Sequence, residues 1–339
     1  MKISKIILMM LFICSLSLAQ ETRKIGTSAA NFLRIPVGAR ASAMGNAFVS
    51  MGEDVSGLYW NPAIVSRLSN TNILVDYANW LVGIKHSFVG VTTNLGDLGT
   101  IGVSVLALQS PQMDVTTPRN PMGTGETFEV TSMALGLTYS KMLTTNFSIG
   151  GTFKYINETI YNSSAAGIAF DVGTFYLTPL AGIRLGASIS NFGTKMQIMG
   201  DDLNVRVDIA PDQEGNNQSI VGMIKTDKFD MPLIMRIGLS GEIFQTNSTR
   251  ITIAVDGVNP NDNAQSIDIG SEISFLNELV LLRIGYSDIF LPEREKGLTA
   301  GVGLYKLQLI PTLLISVDFS YQQMKYLGSV NRFSIILQL

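Results

Sequence analysis

From residue 72 to the last residue the sequence repeats one device: segments of about 9 to 15 residues with apolar side chains at every second position, divided by breaks rich in turn formers. "SMALGLTYS" puts Met133, Leu135, Leu137 and Tyr139 on one face and Ser132, Ala134, Gly136 and Thr138 on the other. "GIAFDVGTFYL" sets Ile168, Phe170, Val172 and Tyr176 against Gly167, Ala169, Asp171 and Gly173. "SIDIGSEISF" and "LLISVDFSY" follow suit, with Asp268, Glu272 and Asp318 on the small, polar face. A period of two belongs to β-strands, whose successive side chains point to opposite faces.

Alternation alone fits a soluble sandwich with its apolar face inward, or a membrane barrel with its apolar face outward and a polar lumen. Three features favour the barrel. The segments are long enough for a tilted bilayer span, which takes about 9 to 11 residues, whereas soluble strands average about 5 to 6. They number about fourteen, from 72–82 to 331–339, and bacterial single-chain barrels have an even count. The breaks also alternate in length. Those at 109–125, 161–164, 192–230, 258–263, 288–296 and 322–330 alternate along the chain with generally shorter ones at 142–144, 180–181, 244–247, 276–277 and 308–310. Short periplasmic turns alternating with longer external loops give that pattern. The expected fold is an all-β outer-membrane barrel of about 14 antiparallel strands over residues 71–339.

Composition agrees. Charged residues make up 15% of the chain, below the roughly 25% of soluble domains. A net charge of −3 offers no basic footprint, so nucleic acid is excluded as a partner. Residues 1–19 read as a secretory signal peptide: Lys2 and Lys5, an apolar run from Ile6 to Leu16, then Ser17-Leu18-Ala19. The single cysteine, Cys14, falls within it, so disulfides and thiol chemistry are excluded downstream. No run of about eighteen apolar residues follows, and no transmembrane helix is expected.

Residues 20–70 do not alternate. Asn61-Pro62 pairs a favoured N-cap with a favoured first helical residue and predicts a short helix over "PAIVSRL". The small residues Gly38, Ala39, Ala41, Ser42, Ala43 and Gly45 predict a second short helix that packs closely on a wall. A barrel of eight strands is filled by its own side chains, and one of sixteen leaves a channel. Fourteen strands therefore need a filling, and residues 20–70 are expected to be an N-terminal hatch.

The stretch "FLRIPVGARASAMGNAFVSMGEDVSGLYWNPA" resembles the N-terminal region of the PorV/PorQ family of Bacteroidetes-type outer-membrane proteins. The resemblance rests on Gly38-Ala39-Arg40-Ala41, Met44-Gly45 with Ala47 and Phe48, Asp54, and Tyr59-Trp60-Asn61-Pro62-Ala63. That family is similar to the FadL group of fatty-acid channels. The resemblance implies a barrel with a hatch, an outer-membrane location among outer-membrane lipids, and one of two roles. One is type IX protein secretion, with the external segment 192–230 docking secretion components or cargo bearing a sorting domain. The other is a FadL-like channel for a hydrophobic small molecule.

Chemistry is sparse. His86 is the sole histidine, its neighbour Ser87 points to the opposite face, and no Gly-x-Ser-x-Gly elbow exists, so catalysis is not expected. One histidine and no downstream cysteine leave no ordinary zinc or haem site, and no cofactor is expected. The acidic stretches 200–217 and 256–265 carry oxygen ligands of the kind calcium takes but lack EF-hand spacing, and they read as solvated loops. Lumen-facing charges are expected at Lys154, Asp171, Arg184, Asp256, Asp268, Glu272 and Asp318, pairing with one another and with Arg40, Glu53 and Asp54 to pin the hatch. Tyr59 and Trp60 are expected to wedge against the wall. Met196, Met199, Met223, Met231 and Met235 gather near the long loop, where they would anchor it or suit a hydrophobic ligand.

Overall fold

A computed structural model describes residues 25–180, 182–209, 212 and 219–339. The expected signal peptide, residues 1–19, lies outside the described residues. The chain forms a closed antiparallel barrel of fourteen strands. The first seven are Thr71–Asn79 (β1), Lys85–Asn94 (β2), Thr100–Gln109 (β3), Val130–Met142 (β4), Phe147–Ile160 (β5), Ser163–Leu177 (β6) and Arg184–Gly193 (β7). The rest are Ile234–Gln245 (β8), Arg250–Pro260 (β9), Ser266–Phe275 (β10), Val280–Ile289 (β11), Lys296–Ile310 (β12), Leu313–Met324 (β13) and Ser329–Gln338 (β14). Each pairs with its sequence neighbours, and β1 pairs with β14, Tyr77 opposite Phe333, to close the ring.

The sense of the alternation identifies the barrel. On β13, Ser316, Asp318 and Ser320 are buried while Val317 and Tyr321 are exposed; on β4, Thr138 is buried and Leu137 is 61% exposed. Apolar side chains thus face outward around the ring, as lipid requires and water does not.

The connections differ from expectation on both sides of β6: β7 begins only at Arg184, so the break after Leu177 is longer than the two residues expected at 180–181. The segment at 161–164, expected to be one of the longer loops, is a two-residue turn at Tyr161 and Asn162, with Tyr161 in the left-handed region at φ 52°. Alternation in connection length is carried mainly by two external loops. One holds the small hairpin Met113–Asp114 with Thr127–Phe128, the other Asn204–Val207 with Ile220–Met223.

Inside the ring runs the N-terminal segment, built from short helical pieces. A 3-10 turn spans Asn31–Arg34, a short α-helix Ala39–Ala43 (α1), another Gly57–Trp60 (α2), and a 3-10 helix Pro62–Arg67. The segment is buried almost throughout. It starts among the external loops, where the Ser28 hydroxyl donates to Asp262 and the Ala29 amide to the Asp230 carbonyl. It ends at β1, at the opposite mouth.

Candidate functional site: the lumen and the segment within it

The first half of the segment is held by its backbone. Gly38 precedes α1 at φ 87°, and the Ala39 amide donates to Ser334 Oγ at 2.6 Å. Gly45 sits at φ 64°, and a Cβ there would lie 2.5 Å from the Tyr286 nitrogen. The Gly45 amide donates to Thr299 Oγ1 at 3.0 Å and its carbonyl accepts from Ser287 Oγ at 2.9 Å. Wall glycines Gly270 and Gly285 leave room for this approach, since a Cβ on either would collide with the Met44–Gly45 backbone. The amides of Phe48 and Val49 donate to Asp256 Oδ2 at 2.7 and 2.8 Å.

The Tyr59-Trp60-Asn61-Pro62 run organises the second half. Asn61 caps the 3-10 helix, its Oδ1 accepting from the Ala63 amide at 3.1 Å, with Pro62 as the first helical residue. Asn61 Nδ2 donates to Val49 O at 2.8 Å and Thr174 O at 2.9 Å, joining two parts of the segment to β6. Tyr59 and Trp60 hold the segment to itself more than they wedge it to the wall. The Tyr59 hydroxyl donates to Leu33 O at 3.0 Å, Trp60 Nε1 donates to Val37 O at 2.8 Å, and their rings meet edge to face at 5.0 Å. The wall reaches Trp60 through Arg236, whose guanidinium lies 5.1 Å from its ring centre. Burial pushes the Tyr59 phenol above its ordinary pKa.

Of the charges named from the sequence, Arg40, Asp54, Glu272 and Asp318 join one buried network. Arg40 donates to Glu272 and to Asp54 Oδ2, while Asp54 Oδ1 accepts from the Ser56 amide and hydroxyl. Glu272 also receives Arg283 and Arg250, and Arg283 bridges on to Asp318. Burial by itself would lower the Arg40 pKa, but the Glu272 and Asp54 carboxylates overcome this and hold the guanidinium well above its ordinary value.

The other charges stay apart from the segment's ions. Lys154 pairs with Asp171 at 2.6 Å and with Asn191 Oδ1 at 2.9 Å, beside the bulge where the β6–β7 register shifts. Arg184 pairs with Glu242 at 2.7 Å, and Asp268 accepts from the Asp288 amide at 2.8 Å. Glu53, expected to meet a lumen cation, is exposed and has no ion pair among the described residues. Its backbone, at φ 59°, turns it toward the mouth while Asp54 points inward.

A second cluster was not anticipated. Asp76 receives Arg332 at 2.5 Å and Ser334 at 2.7 Å, and Arg332 lies 3.3 Å from His86 Nδ1. The sole histidine is therefore part of a buried polar cluster that reaches α1 through Ser334. The period-two rule applied to "LVDYAN" and "NRFSII" puts Asp76 and Arg332 on the inner face.

Toward the external loops the lumen holds an apolar cluster, beside Glu158, whose carboxylate accepts from the Ala30 amide at 3.0 Å. Ala30, Phe32 and Leu33 share a cluster with Leu106, Ala134 and Ile156 from the wall and with Met196 and Met231 from the stems of the long loop. Met199, Met223 and Met235 are exposed instead. Toward the opposite mouth a cavity of about 350 Å³ remains between the segment and the wall.

No family model matches the sequence, and no curated protein matches it. Solved structures do share its fold. The CymD monoaromatic hydrocarbon channel aligns with a TM-score of 0.57 at 11% identity, covering 90% of this chain and 98% of its own. The Ralstonia pickettii toluene transporter TbuX aligns at 0.54 and 11% identity, covering 88% and 96%. A Pseudomonas aeruginosa FadL homologue aligns at 0.53 and 12% identity, covering 89% and 98%. At such identities the likeness is one of fold, and the chain has the fourteen-strand barrel fold of FadL-like channels.

Proposed function

We propose that this protein is an outer-membrane channel for hydrophobic small molecules, with residues 20–70 as its hatch and 71–339 as its wall. The observation that carries the reading is the apolar cluster in the external half of the lumen, to which Phe32 and Leu33 belong together with Leu106, Ile156 and the loop residues Met196 and Met231. Apolar, adaptable surfaces of this kind receive uncharged ligands. The hydrocarbon channels that share the fold lend support. Cells lacking the protein should take up radiolabelled toluene more slowly than cells carrying it, and uptake should fall when Phe32 is replaced by Glu. Equal uptake with and without the protein, across uncharged aromatic and aliphatic probes, would remove the proposal.

The N-terminal motif from Gly38 to Ala63 favours a second reading, an accessory role in type IX secretion, because it resembles the PorV/PorQ family. The external loops around 192–230 would then be the docking surface for secretion components or cargo. Loss of sorting-domain export on deletion, with hydrocarbon uptake intact, would select this reading over the channel.

A further inference from the structure

The cavity of about 350 Å³ opens at the mouth where β6 ends at Leu177 and β8 at Gln245, beside the short turns 246–249 and 276–279. Its cations are satisfied unequally. Arg184 pairs with Glu242 at 2.7 Å, Arg250 with Glu278 at 2.8 Å, and Arg40 with Glu272 at 2.8 Å. Arg67 and Lys306 have no carboxylate within ion-pair distance among the described residues. Arg67 lies 5.1 Å from the Phe175 ring centre and makes two long bonds of 3.3 Å to Thr145 O. Lys306 Nζ stands 4.9 Å from the ring centre of its neighbour Tyr305.

The backbone at this mouth is unusual in the same direction. The register of β12 on β13 slips between Leu304 and Leu307, so Tyr305 and Lys306 both line the cavity. Strict alternation would send Lys306 outward to lipid. Lys306 adopts φ 51°, held by its amide donating to Ser316 Oγ at 2.9 Å. Glu53 lines the same cavity, also at positive φ. Left-handed backbone at residues with a Cβ costs energy and collects where a side chain must be aimed.

We propose that this vestibule binds a compact oxyanion, a carboxylate or phosphate, carried on a short apolar body. Arg67 and Lys306 supply charge-assisted bonds. Phe175, Leu177 and Leu281 supply apolar surface, and the Glu53 carboxylate weakens the site by repulsion. The site goes beyond the channel reading, since it concerns equilibrium binding of a charged ligand at the inner mouth.

The test is calorimetric titration of the full-length protein in non-ionic detergent at constant ionic strength, with hexanoate, inorganic phosphate and hexanol as probes. Hexanoate should bind saturably, phosphate more weakly, and hexanol not at all. The double variant Arg67→Gln/Lys306→Gln should bind hexanoate at least tenfold more weakly, and Glu53→Gln severalfold more tightly. Both should keep the heat-dependent gel shift of a folded barrel. Hexanol binding as well as hexanoate, undiminished binding by a folded double variant, or no saturable binding of either anion to the wild type would overturn the proposal. Phosphate binding as tightly as hexanoate would overturn the apolar-body half of it. Failure of the channel reading would show in hydrocarbon uptake and leave this isotherm unchanged.

Discussion

Arg40 grips Glu272 through two bonds, Nε to Oε2 at 2.8 Å and Nη2 to Oε1 at 3.0 Å, and so joins the N-terminal segment to the wall at β10. Both side chains are buried, and Arg283 and Arg250 converge on the same carboxylate. Removing one partner of a buried pair strands the rest without water to solvate them.

Glu272→Gln is therefore expected to be more harmful than Arg40→Met. It leaves three guanidinium groups under-compensated and should cost about 3–5 kcal/mol, against roughly 3 kcal/mol or less for Arg40→Met, where Arg250 and Arg283 still balance Glu272. Urea midpoints of the heat-modifiable gel band would rank the two, and the opposite order would show that the carboxylate is not the hub.

Gly285→Ala should impair folding because its Cβ would meet the backbone of Met44 and Gly45. Overpacking of this kind costs about 1–3 kcal/mol where the neighbour can yield, and more where it is backbone. Gly297→Ala, with nothing within 4 Å, serves as the control. The yield of folded barrel after refolding in detergent is the readout, and equal yields would mean that the segment is free to shift.

Asn61→Ala removes a cap and two bonds in one step, an expected loss of about 2–3 kcal/mol. With Trp60→Ala added, the segment also loses its stacking on Arg236, and permeability to small solutes should rise in swelling assays of reconstituted liposomes. Unchanged permeability together with unchanged stability would remove the hatch assignment.

Asp262→Asn should act locally. Asp262 receives Arg34 at 2.9 Å and Ser28 at 2.7 Å at the external mouth, and Arg34 is half exposed, so the pair contributes about 1 kcal/mol or less to global stability. Its loss should instead quicken proteolysis between Ile25 and Arg34 while the barrel band persists on gels.

The fourteen strands were legible because each carries its own period-two signal, and the length of each span is set by the bilayer rather than by partners. The cap at Asn61 and the helix at Ala39–Ala43 were legible for a similar reason: capping and small-residue packing are local. The ion network was legible only in part. Glu272 and Asp318 stand out in clean alternation, whereas Arg283 in "LLRIGYS" and Arg236 in "IMRIGLS" sit among large apolar neighbours that mask the inner face. Partner choice was out of reach, because Arg40 and Glu272 lie 232 residues apart and meet only once the ring has closed. Lys306 was hidden for another reason: a one-residue slip against β13 reverses its face, and such a slip has no composition.

The fit between the wall glycines and the Met44–Gly45 backbone bears on how the molecule is held together. A ring whose inner surface is shaped around a peptide chain leaves that chain little room to slide, because backbone meets backbone where side chains would otherwise yield. The tightest fit falls where β10 and β11 meet Met44 and Gly45, so wall and segment complete one another's packing there. The pairing of β1 with β14, Tyr77 beside Phe333, is the seam that closes this wall around the segment, so hatch and ring share one fate: what loosens the segment's seat loosens the ring that was shaped to it.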